Sequence, residues 1–144
     1  MSEENDTQSE VSDLVSRLND FFCGQVYAWP LAKKRALLIL GVLSRWNPAM
    51  GPLYQDQLIN MCGLDIGPSN GPNNLRAVKI ALRRKLDISF LAQGNGLNRV
   101  YTFESNTQLR AVNQFFAGLD DSSSWVTIYQ YLLLELQQHR RRPW

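Results

Sequence analysis

Between residues 71 and 99 the chain sets Arg76, Lys79, Arg83, Arg84, Lys85 and Arg99 against a single acid, Asp87, a local charge of +5 in a protein whose net charge is +2. Cations segregated in this way suit a polyanionic partner, because guanidinium and ammonium groups that neutralise phosphates release condensed counterions. Spacing sharpens the point. At 100° per residue, Arg76, Lys79 and Arg83 fall on one stripe of a helix, beside an apolar stripe of Leu75, Val78, Leu82 and Leu86. The bland alternative is a solvated helix face, the usual meaning of a charge run.

Other chemistries find little material. The one histidine, His139, lies beyond the last apolar residue and leads into Arg140-Arg141-Arg142. Cys23 and Cys62 have no Cys or His at metal-ligand spacing and sit among apolar neighbours, so no metal site is expected. Asp120 and Asp121 precede serines and a helical pattern, where capping explains them. Gly63, Gly67 and Gly71 are not followed by Lys-Ser/Thr, which a phosphate-binding nucleotide loop requires. The expectation is a protein without cofactor that is not an enzyme.

The elements that must position the basic stripe can be read in order. Residues 1–10 are acidic and polar and are expected to be a disordered tail, the opposite of a signal peptide. No apolar run is long enough to span a membrane, and a cytoplasmic location is expected. From Val11, an apolar period through Leu14, Val15, Leu18, Phe21 and Phe22 predicts a helix ending near Gly24. Leu31 to Trp46 reads as a helix apolar on nearly every side, hence surrounded by others. Lys33, Lys34 and Arg35 crowd its first turn against the helix dipole, either near a partner's phosphates or simply solvated.

A short helix from Leu53 to Met61 or Cys62 follows, then a Gly-containing loop, and a basic helix from Pro72 to Leu86. Asp87 to Phe103 predicts a β-hairpin turned at Gly94-Asn95-Gly96, with Arg99, Tyr101 and Phe103 sharing a face of the return strand. Ser105 and Gln108 match a capping box opening a helix at 106–118, and a last helix is expected from Ser124 to about His139.

From Leu31 to Phe103 this order resembles the winged helix-turn-helix family. The features that carry the resemblance are the buried helix, the short helix, the Gly-containing loop, the basic helix and the hairpin with its Gly-Asn-Gly tip. The loop 63–71 is longer than the turn of a tight helix-turn-helix. The fold class expected is therefore mainly α: a winged helix-turn-helix with a three-helix core, a β-hairpin wing and additional N- and C-terminal helices, one domain over 11–139 with a basic tail at 140–144.

The resemblance implies a basic helix in the DNA major groove and a hairpin on backbone or minor groove. Asn70, Asn73 and Asn74 would then lie at the groove-facing end, where Asn can bond adenine N6 and N7, and Arg76 would be placed to bond guanine. Ser69 and the first free N–H groups of the helix would hold a phosphate. Lys79, Arg83, Arg84 and Lys85 would meet phosphates, and Asn98 and Arg99 would reach phosphate or minor groove. The three asparagines have a structural alternative, shaping the loop and capping the helix.

The terminal helices carry more apolar side chains than a wing domain needs. Leu14, Leu18, Phe22, Trp125, Tyr129, Leu132 and Leu136 either complete one enlarged core or form a two-fold interface that sets two recognition helices about one DNA turn apart. The reading favoured is a homodimer that binds double-stranded DNA sequence-specifically as a transcriptional regulator. The alternatives are a DNA-binding adaptor or architectural subunit of a plasmid or phage replication, partition or other nucleoprotein complex, and a protein–protein interaction module without nucleic acid.

Overall fold

The structure is a computed structural model that describes residues 3–66, 69–120 and 125–139. Gly67, Pro68, residues 121–124, where Asp121 and the Ser124 start of the last helix were expected, and the basic tail 140–144 lie outside them. Six helices and one hairpin follow in the order α1 (Glu3–Phe21), α2 (Leu31–Arg45), α3 (Gln55–Met61), α4 (Gly71–Leu86), β1 (Phe90–Gln93), β2 (Val100–Phe103), α5 (Asn106–Asp120) and α6 (Trp125–His139).

The central element is α2. Every residue from Lys34 to Val42 is buried, because α3, α4, α5 and α6 all pack against it. Gly41 is required there: a Cβ would collide with the indole of Trp125, which lies across α2. Leu31 to Arg45 is close to the predicted span, and Pro30 supplies the extended residue that opens it.

α1 differs from expectation at its start. It runs back to Glu3 and so includes residues 3–10 of the segment expected to be disordered. Arg110 of α5 donates to the Gln8 side chain at 3.3 Å. The apolar stripe of α1 lies along α5, with Phe22 and Phe115 ring centroids 5.6 Å apart.

Burial settles where the seven residues assigned to a dimer interface go. Leu14, Leu18, Phe22, Leu132 and Leu136 are buried within the single chain. Trp125 packs on Phe116 at 5.0 Å and on Tyr129 at 5.6 Å, and the Tyr129 hydroxyl donates to the Met61 carbonyl. The interface assignment is corrected: these side chains complete one core, because α1 and α6 find complementary faces on α5 and α2.

The three bases opening α2 meet groups of their own chain, Lys34 and Arg35 buried and Lys33 half-buried. Lys33 lies 5.0 Å from the Phe21 ring centroid and 5.7 Å from that of Trp29. Lys34 pairs with Glu135 of α6 at 2.9 Å, and Arg35 donates to the Ile66 carbonyl at 2.9 Å. Burial lowers the Arg35 pKa from its ordinary value.

The hairpin is antiparallel, pairing Phe90 with Phe103 and Gln93 with Val100. Its connection is longer than the Gly-Asn-Gly turn predicted. Residues 94–99 form a loop with a 3-10 turn at Gly96–Asn98, so Arg99 belongs to the loop and not to the strand. Tyr54 adds a single antiparallel bridge to Val100, and the Gln55 N–H donates to the Arg99 carbonyl at 2.8 Å. This bridge, absent from the sequence reading, ties the start of α3 to the hairpin.

The capping box forms by half. Ser105 Oγ accepts from the Gln108 N–H at 3.2 Å, while the Gln108 side chain accepts from Ser89 N–H at 3.2 Å and donates to the Asp87 carbonyl at 3.4 Å. Gln108 thus clamps the root of the hairpin to α5 instead of closing on Ser105.

Candidate nucleic-acid interface

α4 begins and ends on local chemistry. Asn70 accepts from the Asn73 N–H at 2.9 Å, Pro72 fills the first turn, and Asp87 closes the helix in the left-handed region at φ 56°. The N–H groups of Asp87 and Ile88 return to the carbonyls of Arg83 and Leu82. Arg83, Arg84 and Lys85 occupy the last turn, where the dipole favours cations. Helix chemistry therefore accounts for some of the charge.

Leu75, Val78, Leu82 and Leu86 are buried as expected. On the other side Asn73, Arg76, Ala77, Ile80, Arg83 and Arg84 are exposed. Among the described residues, Arg76, Lys79, Arg83 and Arg84 form no ion pair with an acid. A groove of about 270 Å³ separates α4 from the hairpin root, lined by Arg76, Lys79, Ile80, Arg83, Ser89 and Phe90. Three cations from one helix thus converge on a concave surface with no carboxylate in its lining.

Lys79 is fixed in this groove. Its ammonium lies 4.4 Å from the Tyr101 ring centroid and 3.4 Å from the hydroxyl, and that hydroxyl donates to Gln55 at 2.5 Å. A chain of contacts from α3 through β2 to α4 therefore holds Lys79 against the hairpin.

The remaining candidates divide. Ser69 is exposed at the mouth of the loop with φ 70°, Asn70 is committed to capping, and Asn73 is exposed. Asn74 is only 6% exposed and donates to the Leu64 carbonyl at 2.7 Å, so its place at a groove-facing end is corrected: it ties the α3–α4 loop to α4. That loop is drawn close to the helix because a Cβ on Gly71 would strike Ile59 and Asp65. Asn98 is exposed on the hairpin loop, whereas Arg99 is half-buried beside α3. Arg76, Lys79 and Arg83 come together; Asn98 and Arg99 belong to the hairpin loop beyond the groove lining.

Ile80 and Phe90 were absent from the sequence-derived site. The signal for Ile80 was present: it lies about 140–160° around the helix from Leu75, Val78 and Leu82, off the buried stripe. A second cleft, about 460 Å³ and largely apolar, lies between the end of α2, β2 and Leu109, and no acid or base lines it.

Among the described residues, no three His, Cys, Asp or Glu side chains cluster as metal ligands. Cys62 is buried, and desolvation pushes its thiol well above the ordinary value, which keeps it protonated. No described helix is long and apolar enough to cross a membrane. No family model, no curated protein and no solved structure matches the chain.

Proposed function

We propose that this chain is a homodimeric, sequence-specific double-stranded DNA-binding protein of the winged helix-turn-helix kind, acting in the cytoplasm as a transcriptional regulator. The order of α2, the Tyr54 bridge, α3, α4 and the two hairpin strands is compatible with that architecture, with α4 as recognition helix and the hairpin as wing. One observation carries the reading: Arg76, Lys79 and Arg83 converge, unpaired by acids among the described residues, on the groove between α4 and the hairpin. Phosphate neutralisation is the chemistry that such a surface performs best.

The test is fluorescence anisotropy of the full chain with a labelled 30-base-pair duplex across a salt series. The expected result is tight binding at low salt and an affinity that falls linearly on a log–log plot. No binding to duplex at the lowest salt would overturn the reading in favour of an interaction module without nucleic acid.

The dimer must use surface that the core leaves free. On α6, Val126 is 60% exposed, Leu134 53% and Tyr131 42%. The same exposed side chains also favour the second reading, an adaptor subunit of a nucleoprotein complex that seats a different chain there. Purification from the native host separates the two, since a stoichiometric foreign partner supports only the adaptor.

A further inference from the structure

A hydrophobic residue sits in the middle of the basic face. Ile80 is 46% exposed, almost diametrically opposite the buried stripe of α4, and its neighbours on that face are Asn73, Arg76, Ala77, Arg83 and Arg84. A solvated helix face would place Lys, Glu, Gln or Ala there. A β-branched side chain lowers helix propensity and, half in water, recovers little burial on its own chain.

The contact Ile80 lacks is one a DNA groove supplies. Asn73 and Ile80 lie along one line of the helix, seven residues and about 10 Å apart at 1.5 Å per residue, close to three base-pair steps. The major groove of B-DNA admits a helix and displays one apolar group among its donors and acceptors, the C5-methyl of thymine. An isoleucine flanked by two arginines that hold phosphates or guanine is suited to that methyl. An asparagine on the same line is suited to adenine.

We infer that Ile80 is a specificity-determining residue that reads a thymine methyl group, so that the preferred ligand is duplex DNA with an A·T pair under the middle of α4, and not duplex RNA. The inference rests on the duplex-DNA reading above. Uracil lacks the methyl, and the A-form major groove is too narrow for side chains to read.

The experiment selects bound duplexes from a random 20-base-pair DNA pool with the full chain, then resynthesises the best binder with deoxyuridine at each thymidine in turn. Removing one buried methyl is expected to weaken wild-type binding about fourfold at one or two positions. Ile80→Ala should bind the thymidine duplex more weakly by a similar factor and be insensitive to deoxyuridine at those positions. Duplex binding that is equal for thymidine and deoxyuridine everywhere, a selection that enriches no sequence, or equal deoxyuridine sensitivity in wild type and Ile80→Ala overturns this role and leaves DNA binding intact. Loss of all duplex binding at low salt overturns DNA binding and this role together. The wild-type deoxyuridine series stands without the variant, should Ile80→Ala fail to fold.

Discussion

The Lys79 ammonium lies 4.4 Å above the Tyr101 ring, and the Tyr101 hydroxyl donates in turn to Gln55. Three elements distant in sequence meet at this tyrosine, and its side chain is buried. Tyr101→Phe keeps the ring and removes the hydroxyl that joins Gln55 to Lys79. It should cost about 1 kcal/mol, the net worth of a hydrogen bond. Tyr101→Ala should cost about 3–5 kcal/mol through the cavity it leaves. Urea denaturation of both variants checks the order, and equal costs would show that the ring packs on nothing that matters.

Gly41 and Trp125 form a matched pair across α2 and α6, since any side chain at 41 occupies the place of the indole. Gly41→Ala gains helix propensity of about 1 kcal/mol. Overpacking costs about 1–3 kcal/mol and should win, because Trp125 is also held against Phe116 and Tyr129. The expected melting temperature is lower than wild type. In a Trp125→Leu background the same change should be neutral or stabilising, a coupling that a double-mutant cycle measures.

Lys34 and Glu135 join α2 to α6 with side chains 6% and 16% exposed. Lys34→Met removes the cation from a mostly buried carboxylate, which keeps the Tyr131 hydroxyl at 3.0 Å, and should destabilise by about 3 kcal/mol. Changing both residues to apolar ones of similar size should recover most of the loss. A double variant as unstable as the single one would show that the cost lies in packing.

Alkaline conditions should loosen the packing of α6 on α3. Burial and the neighbouring Cys62 raise the Tyr129 pKa above its ordinary 10.0, and the hydroxyl must stay protonated to donate to Met61. A raised folded pKa means that the native state holds the proton more tightly, so this stability is complete below pH 10 and is lost as pH rises through the folded value. Tyr129→Phe should flatten the decline above pH 10 in a series of thermal melts. Cys62, raised by burial, contributes with the same sign from about pH 9 upward, so Tyr129→Phe should leave a residual slope.

Much of the helical scaffold was legible because α2 and α4 combine long apolar periods with clear stops: Pro30, Pro72 and the end of the apolar run at Leu86. Contacts between distant residues were not. Lys34 and Arg35 read as surface cations because Glu135 and the Ile66 carbonyl lie far along the chain. Leu14, Leu18 and Leu132 read as an interface where the structure buries them in one core, since an amphipathic face carries no mark of whose side chains will cover it. Asn74 looked like Asn73, and only the depth of the α3–α4 loop separates the buried amide from the exposed one. Ile80 escaped because a basic stripe draws attention to its cations.

With α1 and the inner face of α6 spent on the core, the apolar side chains that α6 leaves exposed for self-association are Val126, Tyr131 and Leu134. Leu134→Glu places a charge among them without touching a buried residue, and the fold should tolerate it. Sedimentation equilibrium is expected to give a dimer for wild type and a monomer for the variant. A wild-type monomer at every concentration would remove the dimer from the proposed function.

Arg76 and Arg83 line the groove, whereas Arg110 carries the same charge on α5 beside Gln8. Each arginine that neutralises a phosphate adds about 0.9 to the slope of log affinity against log salt. Arg76→Ala and Arg83→Ala should therefore each flatten the slope by about one, and Arg110→Ala should leave it unchanged. The control matters because all three variants lose one formal charge. If net charge alone governed the attraction, the three slopes would fall together. A difference between the groove pair and Arg110 locates the phosphates on α4.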